Sequence, residues 1–71
     1  MPTLPGVNHL HAVRTLEKCG FWIERQGWKH IVMTDGARIL TVPRHNPVNA
    51  ITMAKIVRDA GLSVDEFRKL L

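Results

Sequence analysis

Residues 21–42, FWIERQGWKHIVMTDGARILTV, decide the fold. Across residues 21–26 the side chains alternate, with Phe21 and Ile23 on one face and Trp22 and Glu24 on the other, the period-two pattern of a half-buried strand. Residues 30–34 and 37–42 are rich in strand formers and flank Asp35-Gly36, a dipeptide that supplies the positive φ angles of a two-residue hairpin turn. Three antiparallel strands are therefore expected. Matching their alternations sends Phe21, Ile23, Ile31, Met33, Leu40 and Val42 to one face and leaves Trp22, His30, Val32 and Ile39 on the other.

On either side of this segment the periodicity changes to that of helices. Upstream, after the Pro5-Gly6 breaker, Asn8 is a natural N-cap, and Leu10, Val13 and Leu16 recur at helical spacing up to a stop at Gly20. Downstream, Pro43 closes the third strand and residues 43–51 read as a loop, with Thr52 expected to cap a second helix. Met53, Ile56, Val57 and Ala60 form its apolar stripe, Lys55 and Arg58 face solvent, and Gly61 ends it. Ser63 and Glu66 have the spacing of a capping box, which opens a short final helix with Val64, Phe67 and Leu70 facing inward. The expected fold is α+β, in the order α-β-β-β-α-α, as a single domain over residues 1–71. One sheet face must be covered to make a core, and only the helices can cover it. The other face stays open, so Trp22, Val32 and Ile39 form a candidate partner interface beside an accessible His30.

The chain has 71 residues, so its core must be small. Its single cysteine, Cys19, cannot close an internal disulfide, and no paired Cys and His spacing points to zinc. A reduced, cytoplasmic setting is expected. The start of the chain lacks a basic leader pattern, and no apolar run reaches membrane-spanning length. Ten Lys and Arg against six Asp and Glu give a net charge of +4, which favours a polyanionic partner. Nucleic acid comes first in that class and a membrane surface second. The basic residues are dispersed between Arg14 and Lys69, so folding must assemble any footprint.

Several ordered pieces of sequence carry a family resemblance: Gly20-Phe21, Arg25-Gln26, the run from Gly27 to His30, Val42-Pro43 followed by His45, and Ala60-Gly61-Leu62-Ser63 through Glu66-Phe67. Together they resemble the HicA family of toxins, over nearly the whole chain. The resemblance implies a fold like that of double-stranded-RNA-binding domains, an mRNA-cleaving ribonuclease activity and a HicB-like antitoxin as partner. The family's catalytic motif is written Gly-Ser-His or Gly-Ser-x-His. Here Gly27, Trp28, Lys29 and His30 match it at the histidine, while Trp28 stands in place of the serine.

The chemistry also follows from the residue types. RNA supplies its own nucleophile in the 2′-hydroxyl and needs a proton acceptor, charge stabilisation and a proton for the leaving group. An imidazole suits that task near neutral pH. His30 is accordingly the expected catalytic base or acid, with Lys29, Arg25 and Arg38 neutralising phosphate charge. Trp28, Arg44 and His45 complete the expected RNA contacts, although His45 also fits a loop cap bonded to backbone. His9 and His11 read as solvated residues or phosphate contacts. The acidic residues show no two-metal pattern, and no cofactor is expected. Two other readings stay open: an RNA-binding module of the same fold whose altered motif has lost catalysis, and an assembly face used only for protein contacts. A homo-oligomer is compatible with all three.

Overall fold

The computed structural model describes residues 6–71, so the leader reading at the start of the chain lies outside the described residues. Within them the order is α1 (His9–Lys18), β1 (Trp22–Gln26), β2 (His30–Thr34), β3 (Ile39–Pro43), α2 (Ala50–Asp59) and α3 (Val64–Leu70). The strands form one antiparallel sheet in the order β1-β2-β3. This is the α+β arrangement expected from the sequence, an open three-stranded sheet of the double-stranded-RNA-binding kind.

Both α1 and α2 pack on β3, and α3 lies across α1 and α2. The covered face contributes Ile31, Met33, Leu40 and Val42 to the core, where they meet Val13 and Leu16 from α1, Met53, Ile56 and Val57 from α2, and Phe67 from α3. Thr15 is buried among them because its hydroxyl donates to the His11 carbonyl one turn back, at 2.9 Å. β1 receives no such cover. Of its five residues only Ile23 is half-buried, so the strand is held mainly by its ladder to β2 and by the buried Phe21 just before it.

Several sequence expectations need correction. Leu10 is 52% exposed. The buried stripe of α1 is Ala12, Val13, Thr15 and Leu16, and at 100° per residue Leu10 lies roughly 140° away from its centre. The N-cap of α2 is Asn49, whose carboxamide oxygen accepts from the Thr52 N–H at 2.8 Å, so Thr52 is the capped residue rather than the cap. In α3 the inward position falls to Leu71, four residues after Phe67, while Leu70 is exposed. The Ser63 cap holds as expected, accepting from the Glu66 N–H at 3.1 Å.

The Asp35-Gly36 hairpin forms, but not as a two-residue turn. The ladder ends at Thr34 opposite Ile39, which leaves residues 35–38 in the loop. A two-residue turn of the expected type needs positive φ at both central positions, and here only Gly36 has it, at 94°. The Asp35 carboxylate closes the loop instead, accepting from the N–H groups of Arg38 at 2.7 Å and Ala37 at 2.9 Å. Those bonds, the Arg38 one foremost, hold the Asp35 carboxyl below the usual carboxylate range. A group with a depressed folded pKa stabilises the fold above its unfolded pKa, and that contribution disappears as pH falls through the folded value. The melting-temperature advantage of the parent over Asp35→Asn should therefore close in acid, below the ordinary aspartate range. A gap that stayed constant down to that pH would mean that the charge plays no part in closing the loop.

Candidate nucleic-acid interface

The open face is organised by an irregularity in β1. Ile23 pairs with Met33 and Arg25 with Val32, so Glu24 is the extra residue of a bulge. Strict alternation would carry Arg25 to the same side as Phe21 and Ile23. Directly opposed residues project to the same side of a sheet, so the bulge places Arg25 with Val32 on the open face. His30 lies two residues before Val32 on that face, which makes Arg25 and His30 diagonal neighbours with Cα atoms about 7–8 Å apart. Long side chains bridge that distance readily.

His30 is exposed at the start of β2, opposite Pro43. Its backbone carbonyl accepts from the Gly27 N–H at 2.8 Å, which closes the β1–β2 turn with Trp28 and Lys29 at the tip. Among the described residues no hydrogen bond ties the His30 ring. Arg44, the residue after β3, braces this turn. Its N–H donates to the Lys29 carbonyl at 2.8 Å, its Nε donates to the Gly27 carbonyl at 2.7 Å, and its Nη2 donates to Gln26 Oε1 at 3.2 Å. Gln26, Gly27, Trp28 and Arg44 line a cavity of about 380 Å³.

The expected site residues therefore divide. His30, Lys29, Trp28, Arg25 and Arg44 gather at one end of the sheet. Arg38 does not join them: it sits in the hairpin loop at the far end of β2, paired with Asp35 at 3.5 Å, with its guanidinium lying against Gly61. Four residue steps along β2 separate the two ends, about 13 Å at strand rise, so Arg38 cannot neutralise a phosphate held at His30. His45 is exposed, and it is its backbone carbonyl, not its ring, that is engaged, accepting from His9 Nδ1 at 3.3 Å. Trp22, Val32 and Ile39 share the open face as expected, Trp22 and Ile39 flanking Thr34 at the hairpin end. Glu24 and Arg25 join Val32 and Ile39 around a second cavity of about 340 Å³.

Sequence reasoning missed Gln26 and the bracing role of Arg44, because a contact between residues 17 or 18 positions apart leaves no local signal. Cys19 is not a hidden nucleophile: burial, and after it the Glu66 carboxylate, push its thiol up, so it stays protonated near neutral pH. Among the described residues no group of three or more His, Cys, Asp or Glu could hold a metal ion, and no helix is long and apolar enough to cross a membrane.

A family model described as "HicA toxin of bacterial toxin-antitoxin" matches residues 11–62. No curated protein and no solved structure gives a significant match.

Proposed function

The chain belongs to the HicA toxin family, and from that premise we propose that it is an endoribonuclease that cleaves messenger RNA with His30 as its acid–base group and without a metal ion. Family membership makes it the toxin of a toxin-antitoxin pair and implies an antitoxin partner. The observation that carries the finer reading is the setting of His30: an imidazole exposed on the open sheet face, with no hydrogen bond among the described residues, next to Lys29 in sequence and diagonal to Arg25.

In that setting the 2′-oxygen of the RNA attacks the adjacent phosphorus as its proton is removed. The bond from phosphorus to the 5′-oxygen breaks, leaving a 2′,3′-cyclic phosphate on one fragment. A proton delivered to the departing oxygen gives a 5′-hydroxyl on the other. His30 takes one end of this proton traffic and water the other, while the cations of Arg25 and Lys29 stabilise the charge that builds on the phosphoryl oxygens. Arg44 and the turn it braces hold the RNA against His30, and His45 and Arg38 extend the positive surface for the flanking chain. The antitoxin covers the apolar part of the same face, at Trp22, Val32 and Ile39, and so denies RNA the site.

Long single-stranded RNA incubated with the purified protein in excess chelator should give fragments ending in cyclic phosphate. A strict requirement for added magnesium would overturn the metal-free mechanism. The replacement of the family's serine by Trp28 favours a second reading, an RNA-binding module that has lost catalysis. Intact RNA with retained binding in the same assay would select it.

A further inference from the structure

Trp28 is 98% exposed, at the tip of the β1–β2 turn. An indole held out in water forgoes the burial that usually stabilises so large an apolar ring, and gains it only when something lies against it. The tip that carries it is firmly built. Gly27 and His30 close it, and Arg44 fastens both sides of it through the Gly27 and Lys29 carbonyls. The indole is thus presented on a braced support beside the cavity of about 380 Å³ lined by Gln26, Gly27, Trp28 and Arg44.

The side-chain polar groups of that cavity are mostly donors, and its side-chain acceptor, Gln26 Oε1, is already engaged by Arg44. Arg44 spends Nε on Gly27 and one Nη2 proton on Gln26 Oε1, which leaves further guanidinium N–H groups and the Gln26 amide nitrogen to offer. A flat aromatic face next to a small set of N–H donors matches an unpaired nucleobase: the ring stacks, and acceptors on its edge take the donors.

We propose that this cleft is a subsite for one unpaired RNA base, stacked on Trp28 and hydrogen-bonded along an acceptor-bearing edge by Arg44 and Gln26. The inference rests on the ribonuclease reading for the identity of its ligand. Trp28 stands two residues before His30, so their Cα atoms are within roughly 7 Å. A base held there fixes which phosphodiester reaches His30, and Trp28 is then a specificity element at the position where the family motif has a serine. Guanine presents O6 and N7 as adjacent acceptors, whereas adenine carries an amino group in place of O6. The two purines stack over equal area, so the donor edge of the cleft favours guanine.

The test uses the full chain carrying Trp22→Phe, which leaves Trp28 as the sole tryptophan of the two in the sequence. It is titrated with short single-stranded oligonucleotides 2′-O-methylated throughout, which cannot be cleaved through the 2′-oxygen. Saturable quenching of the Trp28 emission is expected, weakened about tenfold to a hundredfold by an abasic unit at the contacted position. By anisotropy of a labelled oligonucleotide, Trp28→Ala should lose affinity by the same factor and Trp28→Phe should keep most of it. Guanine at that position should bind more tightly than adenine, and equal affinity would overturn the hydrogen-bonded edge. Cleavage is measured separately on unmodified RNA. Quenching by a protein that leaves RNA intact upholds the subsite and overturns the ribonuclease reading. His30-dependent cleavage without quenching overturns the subsite alone, and absence of both overturns both. A Trp28→Ala protein that binds and cleaves RNA normally but no longer holds its antitoxin also overturns the subsite and makes Trp28 a protein contact.

Discussion

His30→Ala is expected to lower RNA cleavage by about a hundredfold to ten-thousandfold, the usual contribution of a positioned general acid or base, while leaving the melting temperature unchanged. The second half of that result follows from the surroundings of His30. Its ring is exposed and unbonded among the described residues, and the bond it does make, the carbonyl accepting from Gly27, belongs to the backbone and survives the substitution. Nothing is lost from the core, since the inward neighbour Ile31 keeps its place. RNA affinity should fall little, because the proposed phosphate contacts, Arg25 and Lys29, are untouched. Expressed without its antitoxin, the variant should permit growth that the parent arrests. A His30→Ala protein that cleaved RNA at the parental rate would remove the His30 imidazole from the proposed mechanism.

The parts of this site that the sequence revealed are those set by local pattern. Residues 30–34 alternate cleanly, and β2 spans His30–Thr34, so the exposure of His30 followed from the neighbouring inward positions of Ile31 and Met33. The α2 stripe was equally legible, because Met53, Ile56, Val57 and Ala60 repeat at helical spacing and all four are buried. What escaped was set by geometry that no short window contains. The bulge at Glu24 moves Arg25 from the face alternation assigns it to the face where His30 sits, and a bulge depends on how two strands register rather than on the residue it displaces. Charge alone groups Arg38 with His30, yet the sheet separates them by the length of a strand. The Arg44 brace required β3 to lie beside the β1–β2 turn. At the ends of helices the errors came from single positions: Leu10 lies off the buried stripe of α1, and Leu71 takes the place expected for Leu70.

Phe67→Ala should lower the same activity at growth temperature by a different physical route. Phe67 lies beyond the residues 11–62 that carry the family match, on a helix of only seven residues that contributes none of the expected site. It is nevertheless fully buried, at 0% exposure, and joins α3 to the core shared by α1, α2 and the sheet. Truncating a buried phenylalanine to alanine costs about 3–5 kcal/mol, through lost transfer energy and the cavity left behind. At roughly 0.05–0.15 kcal/mol per residue, a chain of 71 residues has about 4–11 kcal/mol of stability to lose. The melting temperature should therefore drop by about 12 °C or more, and a substantial fraction of the protein should be unfolded at growth temperature if its starting stability is at the low end. Neighbouring anchors of α3, the Ser63 cap and the Lys18 side chain donating to the Leu70 carbonyl at 3.2 Å, are too weak to compensate. Thermal melts and cleavage assays on both variants separate the two causes of inactivity. His30→Ala should be folded and inactive. Phe67→Ala should be inactive when warm and recover cleavage on cooling into the range where it folds, because the substitution leaves the His30 end of the sheet intact. A Phe67→Ala protein with the parental melting temperature would show that α3 contributes nothing to the core and that the stable domain ends with α2.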